Sequence, residues 1–155
     1  MIWPLVAAAA LLTGQIRLAL GDAAPLAPSA AVAWALLYAR RSRRGSFAAA
    51  ATFAALIEAP TYDAPLIAAP LAALTAGFLG YATRFALPVR TLKGEGLAGA
   101  LFAACAAFVF EGLQDGPGAE APHFWGGVVA TGFLCAALAA LERRSPSLRA
   151  ALARR

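Results

Sequence analysis

Residues 53–70 read FAALIEAPTYDAPLIAAP. Two carboxylates, Glu58 and Asp63, and the prolines Pro60, Pro65 and Pro70 interrupt a chain that is otherwise apolar and rich in alanine. Proline is poor inside a helix but tolerated in its first turn. Pro60 therefore ends one apolar helix and Pro65 helps to start the next, which predicts a polar turn joining two antiparallel helices.

Outward from that turn the same pattern repeats. Apolar runs cover residues 2–20, 30–39, 47–57, 66–87, 97–113 and 124–141, separated by GDAAPLAPS, RRSRRG, the Glu58 turn, PVRTLKGEG and QDGPGAEAPH. A helix needs about 20 apolar residues to cross a bilayer. The second run reaches that length if its helix begins near Leu26, and the third if residues 46–62 are included. The expectation is an all-α membrane protein, a compact bundle of about six transmembrane helices over residues 1–142. A basic cytoplasmic tail, 143–155, follows it and is read either as an amphipathic helix or as solvated chain. The first run lacks the basic start of a signal peptide and is predicted to be a retained span.

Composition agrees. Hydrophobic residues are 61% of the 155 and charged residues 14%, with a mean hydropathy of +0.70. Soluble domains carry roughly 45–50% apolar and about 25% charged residues. The net charge of +5 comes in short clusters between apolar runs rather than as a basic face, which argues against nucleic acid and for topology signals. Arg40, Arg41, Arg43, Arg44, Arg84, Arg90, Lys93, Arg143, Arg144, Arg149, Arg154 and Arg155 fall on one side; Asp22, Glu58, Asp63, Glu111, Asp115 and Glu120 fall on the other. Basic loops stay in the cytoplasm, so both termini are predicted there.

Arg17 breaks the charge rule, since it belongs near the outer ends where Glu58 and Glu111 stand. Charged residues in a membrane tend to face the bundle interior and pair. Arg17 with Glu58 or Glu111 is thus a possible intramembrane ion pair, the alternative being a snorkelling arginine and interfacial glutamates. Cys105 and Cys135 lie inside apolar runs and read as small core residues. His123 has no ligand partners nearby, so no metal or cofactor is expected. Nucleophile-elbow, zinc-protease and phosphate-loop motifs are missing from the sequence, and no enzyme activity is expected. Trp3, Trp34 and Trp125 fit interfacial anchors, with a deeper position the alternative for Trp34.

Four features occur in order: Pro28-Ser29 before AAVAWALLYA, RRSRRG ending at Gly45, SFAAAATFAALI closing on Glu58, and Pro65-Leu66 before IAAPLAALTAGFLGYATR. This layout resembles the rod shape-determining MreD family. Members tend to carry Asp where Ser29 and Glu58 stand here, and Gly where Ile67 stands. The resemblance implies a fold similar to the substrate-binding S-component of vitamin transporters. It also implies a non-catalytic scaffold of the bacterial inner membrane that binds the bitopic protein MreC. Such a scaffold supports the peptidoglycan elongation machinery, with RodA, a class B penicillin-binding protein and MreB as further partners besides membrane lipids. The alternative is an S-component of an energy-coupling-factor vitamin transporter, with APTYDAP, Glu111 and the HFW of residues 123–125 forming an outer pocket.

Overall fold

The computed structural model describes residues 2–21, 23, 27–41, 47–62, 66–84, 91–112 and 122–153. Among these, every regular element is helical: α1 (Ile2–Leu20), α2 (Ala30–Arg41), α3 (Phe47–Glu58), α4 (Ala68–Thr83), α5 (Leu92–Gly112), α6 (Pro122–Arg144) and α7 (Pro146–Ala153). A 3-10 turn, Ala59–Thr61, extends α3.

The helices α1 to α6 alternate in direction, and α2 is their axis. It packs against all six of the others, and its residues 30–39 are all buried. Those residues are mostly alanine, with Trp34, Leu36, Leu37 and Tyr38 among them, so neighbouring helices come close on every side. The outward face of the bundle is apolar as well. Leu11, Leu12 and Leu18 on α1, Phe53 and Leu56 on α3, Phe78 on α4, Leu97 and Leu101 on α5, and Phe133 on α6 are exposed large apolar side chains. Water would penalise that surface, whereas lipid tails are as apolar as leucine.

Three helices carry stretches long and apolar enough to cross a membrane: Trp3–Leu20, Leu92–Val109 and Trp125–Arg144. This is the build of a membrane protein. By contrast, α2 is shorter than the sequence predicts, because it begins at Ala30 rather than near Leu26. Pro28 precedes it and the Ser29 hydroxyl accepts the Val32 N–H at 3.3 Å, an N-cap that fixes the start. At 12 residues it is about 18 Å long. Being enclosed by other helices, it has no lipid thickness to match.

The other boundaries have local causes. The first helix ends at Gly21, whose φ of +52° is the left-handed conformation that glycine adopts freely at a helix C-terminus. Pro70 falls in the first turn of α4, where the missing N–H removes no helical bond, so it does not interrupt that helix. Along the seam of α5 and α6, a Cβ at Gly99 would stand 2.6 Å from Cys135 Cβ, and one at Gly132 would stand 2.8 Å from the Gly96 carbonyl oxygen. The small residues there are a packing requirement. The tail joins the bundle: α6 runs on to Arg144, and α7 folds back with Leu148 buried in the core.

Candidate functional site

Glu58, the last residue of α3, is completely buried. Its position follows from the chain. Alanines at 50, 51, 54 and 55 let α3 sink into the bundle, and Pro60 in the 3-10 turn then redirects the backbone. The Thr61 hydroxyl donates to the Glu58 carbonyl at 2.7 Å, which takes up one of the acceptors left open at a helix end.

Both carboxylate oxygens are filled. Oε1 accepts from the Ala30 N–H at 2.7 Å and from the Thr13 hydroxyl at 2.6 Å. That hydroxyl also lies 3.1 Å from the carbonyls of Ala9 and Ala10; its single proton goes to the nearer acceptor, Glu58. Oε2 accepts from the Ser29 hydroxyl at 3.0 Å and from Tyr62 at 3.3 Å. Since Ala30 opens α2, the carboxylate also lies at the positive end of that helix. One side chain thereby fastens α1, the start of α2 and the turn after α3. A fourth helix joins through Thr131 on α6, whose hydroxyl accepts the Ser29 N–H at 3.0 Å and donates to the Gly127 carbonyl at 2.8 Å.

Arg17 stands beside this knot without closing a salt bridge on it. Among the described residues the structure shows no direct Arg17–Glu58 ion pair. The guanidinium instead covers the Tyr62 ring at 3.7 Å and reaches the Thr61 hydroxyl at 3.5 Å. The two residues are thus neighbours through Thr61 and Tyr62. Glu111 lies in the last turn of α5, but its side chain is outside the described set. Of the motif residues, Pro28 directly precedes the knot, whereas Gly45 and Pro65 lie outside the described residues. Trp3 packs edge-on against Phe53 at 5.2 Å, Trp34 is buried within α2, and Trp125 is half exposed. Both cysteines are free thiols, Cys135 buried and Cys105 half-buried.

The opposite end of the bundle holds a second cluster, which the charge count along the sequence passes over. Glu95, in the first turn of α5, and Glu142, near the end of α6, are both buried. Arg41 at the end of α2 lies 2.7 Å from Glu95 and 3.3 Å from Glu142. Arg40 adds a 3.9 Å approach to Glu95, and Arg149 on α7 a 3.7 Å approach to Glu142. Acidic residues inside basic clusters were the available signal. For Thr13 the signal was its spacing of four from Arg17, which places both on one helix face.

Among the described residues no group of three His, Cys, Asp or Glu side chains is arranged to hold a metal. Comparison with protein-family models, with curated proteins and with solved structures found no match.

Proposed function

We propose that the chain is a non-catalytic scaffold of MreD type in the bacterial cytoplasmic membrane. Its six alternating helices form one bundle embedded in the bilayer, with both termini and the Arg41–Glu95–Glu142 end in the cytoplasm. It binds an MreC-type bitopic protein and, with RodA, a class B penicillin-binding protein and MreB, supports the peptidoglycan elongation machinery. The supporting observation is the Glu58 knot, in which Ser29 and Glu58, residues at two of the resemblance's landmarks, meet across the fold. A carboxylate with both oxygens filled by protein donors has no free lone pair to accept a substrate proton. Its work is to hold helix ends together, as a scaffold requires. The orientation rests on Arg40, Arg41, Lys93, Arg143, Arg144 and Arg149 sharing one end.

Co-expression with an MreC-type protein from the same genome, followed by detergent extraction and size-exclusion chromatography, tests this reading. A complex of fixed ratio is expected. Polar substitutions on one outward face at a time, such as Leu12→Asn on α1 or Phe133→Asn on α6, should break it on one face only. Elution of the protein alone with a vitamin-sized molecule bound would replace the scaffold with the transporter S-component.

A further inference from the structure

The Glu58 end contains a guanidinium that the described residues do not saturate. Glu58 is satisfied by Thr13, Ser29, Ala30 and Tyr62, none of them a cation. Among the described residues Arg17 has the Tyr62 ring at 3.7 Å, with a hydrogen bond to that side chain, and the Thr61 hydroxyl at 3.5 Å, a distance at the long limit of a hydrogen bond. A guanidinium carries five N–H donors in a planar fork, so most of them are uncommitted. Arg17 is 5% exposed, and none of its nitrogens is among the sealed atoms that lack a partner. The open part of the fork therefore meets the molecular surface.

The group is also held in place. Gly14, one turn earlier in α1, brings that helix so near the 3-10 turn that a Cβ there would lie 3.2 Å from Thr61 Cγ2. Tyr62, beneath the guanidinium, is anchored by its hydroxyl to Glu58. A fixed fork of donors suits an oxyanion that can accept two parallel bonds, a phosphate above all.

The surroundings narrow the source of that phosphate. Ile16, Leu18 and Leu20 on α1, Leu56 on α3, and Leu66 and Ile67 ahead of α4 are exposed. Arg17 lies three residues before the end of α1, about 5 Å of helix rise, which is headgroup depth once α1 spans a bilayer. A ligand that meets both the arginine and these side chains has an anionic head and apolar tails. We propose that Arg17, positioned by Thr61 and Tyr62, binds the phosphate of a phospholipid headgroup, with the acyl chains lying along α1 and α3. This requires α1 to be in a membrane but does not depend on the identity of any protein partner.

The test is thermal unfolding of the purified protein in a neutral maltoside detergent. Phosphatidylethanolamine, phosphatidylglycerol, diacylglycerol and inorganic phosphate are added separately. Both phospholipids should raise the unfolding midpoint by several degrees, while diacylglycerol, which lacks the phosphate, should not. Arg17→Gln should abolish the shift with phosphatidylethanolamine, and Arg149→Gln at the opposite end should leave it intact. Arg17→Lys keeps the charge but not the fork, and should need about tenfold more lipid for the same shift. An equal shift in wild type and Arg17→Gln overturns the proposal. If Arg17→Gln does not fold, an unchanged lipid requirement in Arg17→Lys overturns it instead. A shift reproduced by inorganic phosphate alone moves the site to free phosphate. A wild type indifferent to every probe leaves the guanidinium to a protein carboxylate.

Discussion

The two ends of the bundle solve one problem in opposite ways. Each buries acidic side chains where helices meet, Glu58 at one end and Glu95 with Glu142 at the other. At the Glu58 end the acceptors are filled by hydroxyls, one backbone N–H and the positive end of α2. At the other end they are filled by guanidinium groups: Arg41 is shared between Glu95 and Glu142, with Arg40 and Arg149 at longer range. Neutral donors hold an anion without adding a second charge to desolvate, so they suit the deepest position. Ion pairs carry that second penalty, and here they occur where Arg41 keeps a quarter of its side chain in contact with solvent. For α2 the division also follows the helix direction: its start offers the Ala30 N–H to Glu58, and its finish offers carbonyls, which favour cations such as Arg41.

The comparison breaks first at Glu58. Glu58→Ala orphans donors from α1, α2 and the turn after α3 in one step, and each buried unpaired group costs about 1–3 kcal/mol. We expect a total loss of about 3–5 kcal/mol, with Glu58→Gln losing less because its carbonyl still accepts. Unfolding by sodium dodecyl sulfate in mixed micelles measures it. A loss below about 1 kcal/mol would show that the knot is decorative.

How legible each end is in the sequence follows from the same difference. Glu58 is conspicuous as a glutamate closing an apolar helix ahead of Pro60, and the turn follows directly from the prolines. The complete burial of Glu58 does not, because the same residues read equally well as a solvated turn at the outer interface. Its partners are not conspicuous. Thr13, Ser29 and Thr131 come from helices far apart in the chain, and small hydroxyls occur in any sequence. Arg17 was visible as the odd cation, yet its meeting with Tyr62 rather than with Glu58 depends on the 3-10 turn, a local detail that periodicity does not encode. Glu95 and Glu142 stayed hidden because summing charge by loop treats an acid among arginines as one charge fewer, when it is in fact a contact. The starting point of α2 was misjudged for a related reason. Apolar length implies a span, but enclosure by neighbouring helices removes the need for one.

At the second end the larger effect belongs to Arg41. Arg41→Met leaves two buried carboxylates with only the more distant Arg40 and Arg149, and should cost about 2–3 kcal/mol, less than losing Glu58. Most of that is the penalty of an uncompensated charge. Adding Glu95→Gln to Arg41→Met should therefore recover part of the loss rather than deepen it. Full additivity of the two substitutions would mean that Arg41 and Glu95 do not interact.

Arg149 gives the smallest effect and the sharpest contrast within the cluster. Its side chain is 58% exposed and 3.7 Å from Glu142, and it also donates to the Arg143 carbonyl at 2.9 Å. An exposed pair of this kind is worth about 0.2–1 kcal/mol, and at 1 M salt, where the screening length is about 3 Å, most of that goes. Arg149→Ala should thus lower stability slightly at low salt and hardly at all at high salt. The Arg41→Met loss, lying between buried carboxylates, should change little over the same range. Leu148, buried in the core, keeps α7 docked in either case, so slow hydrogen exchange of the α7 amides should persist in Arg149→Ala and disappear in Leu148→Ala. A salt-independent Arg149→Ala loss of about 2 kcal/mol or more would place Arg149 with Arg41 as part of the buried cluster, and the two ends would then differ in donor chemistry alone.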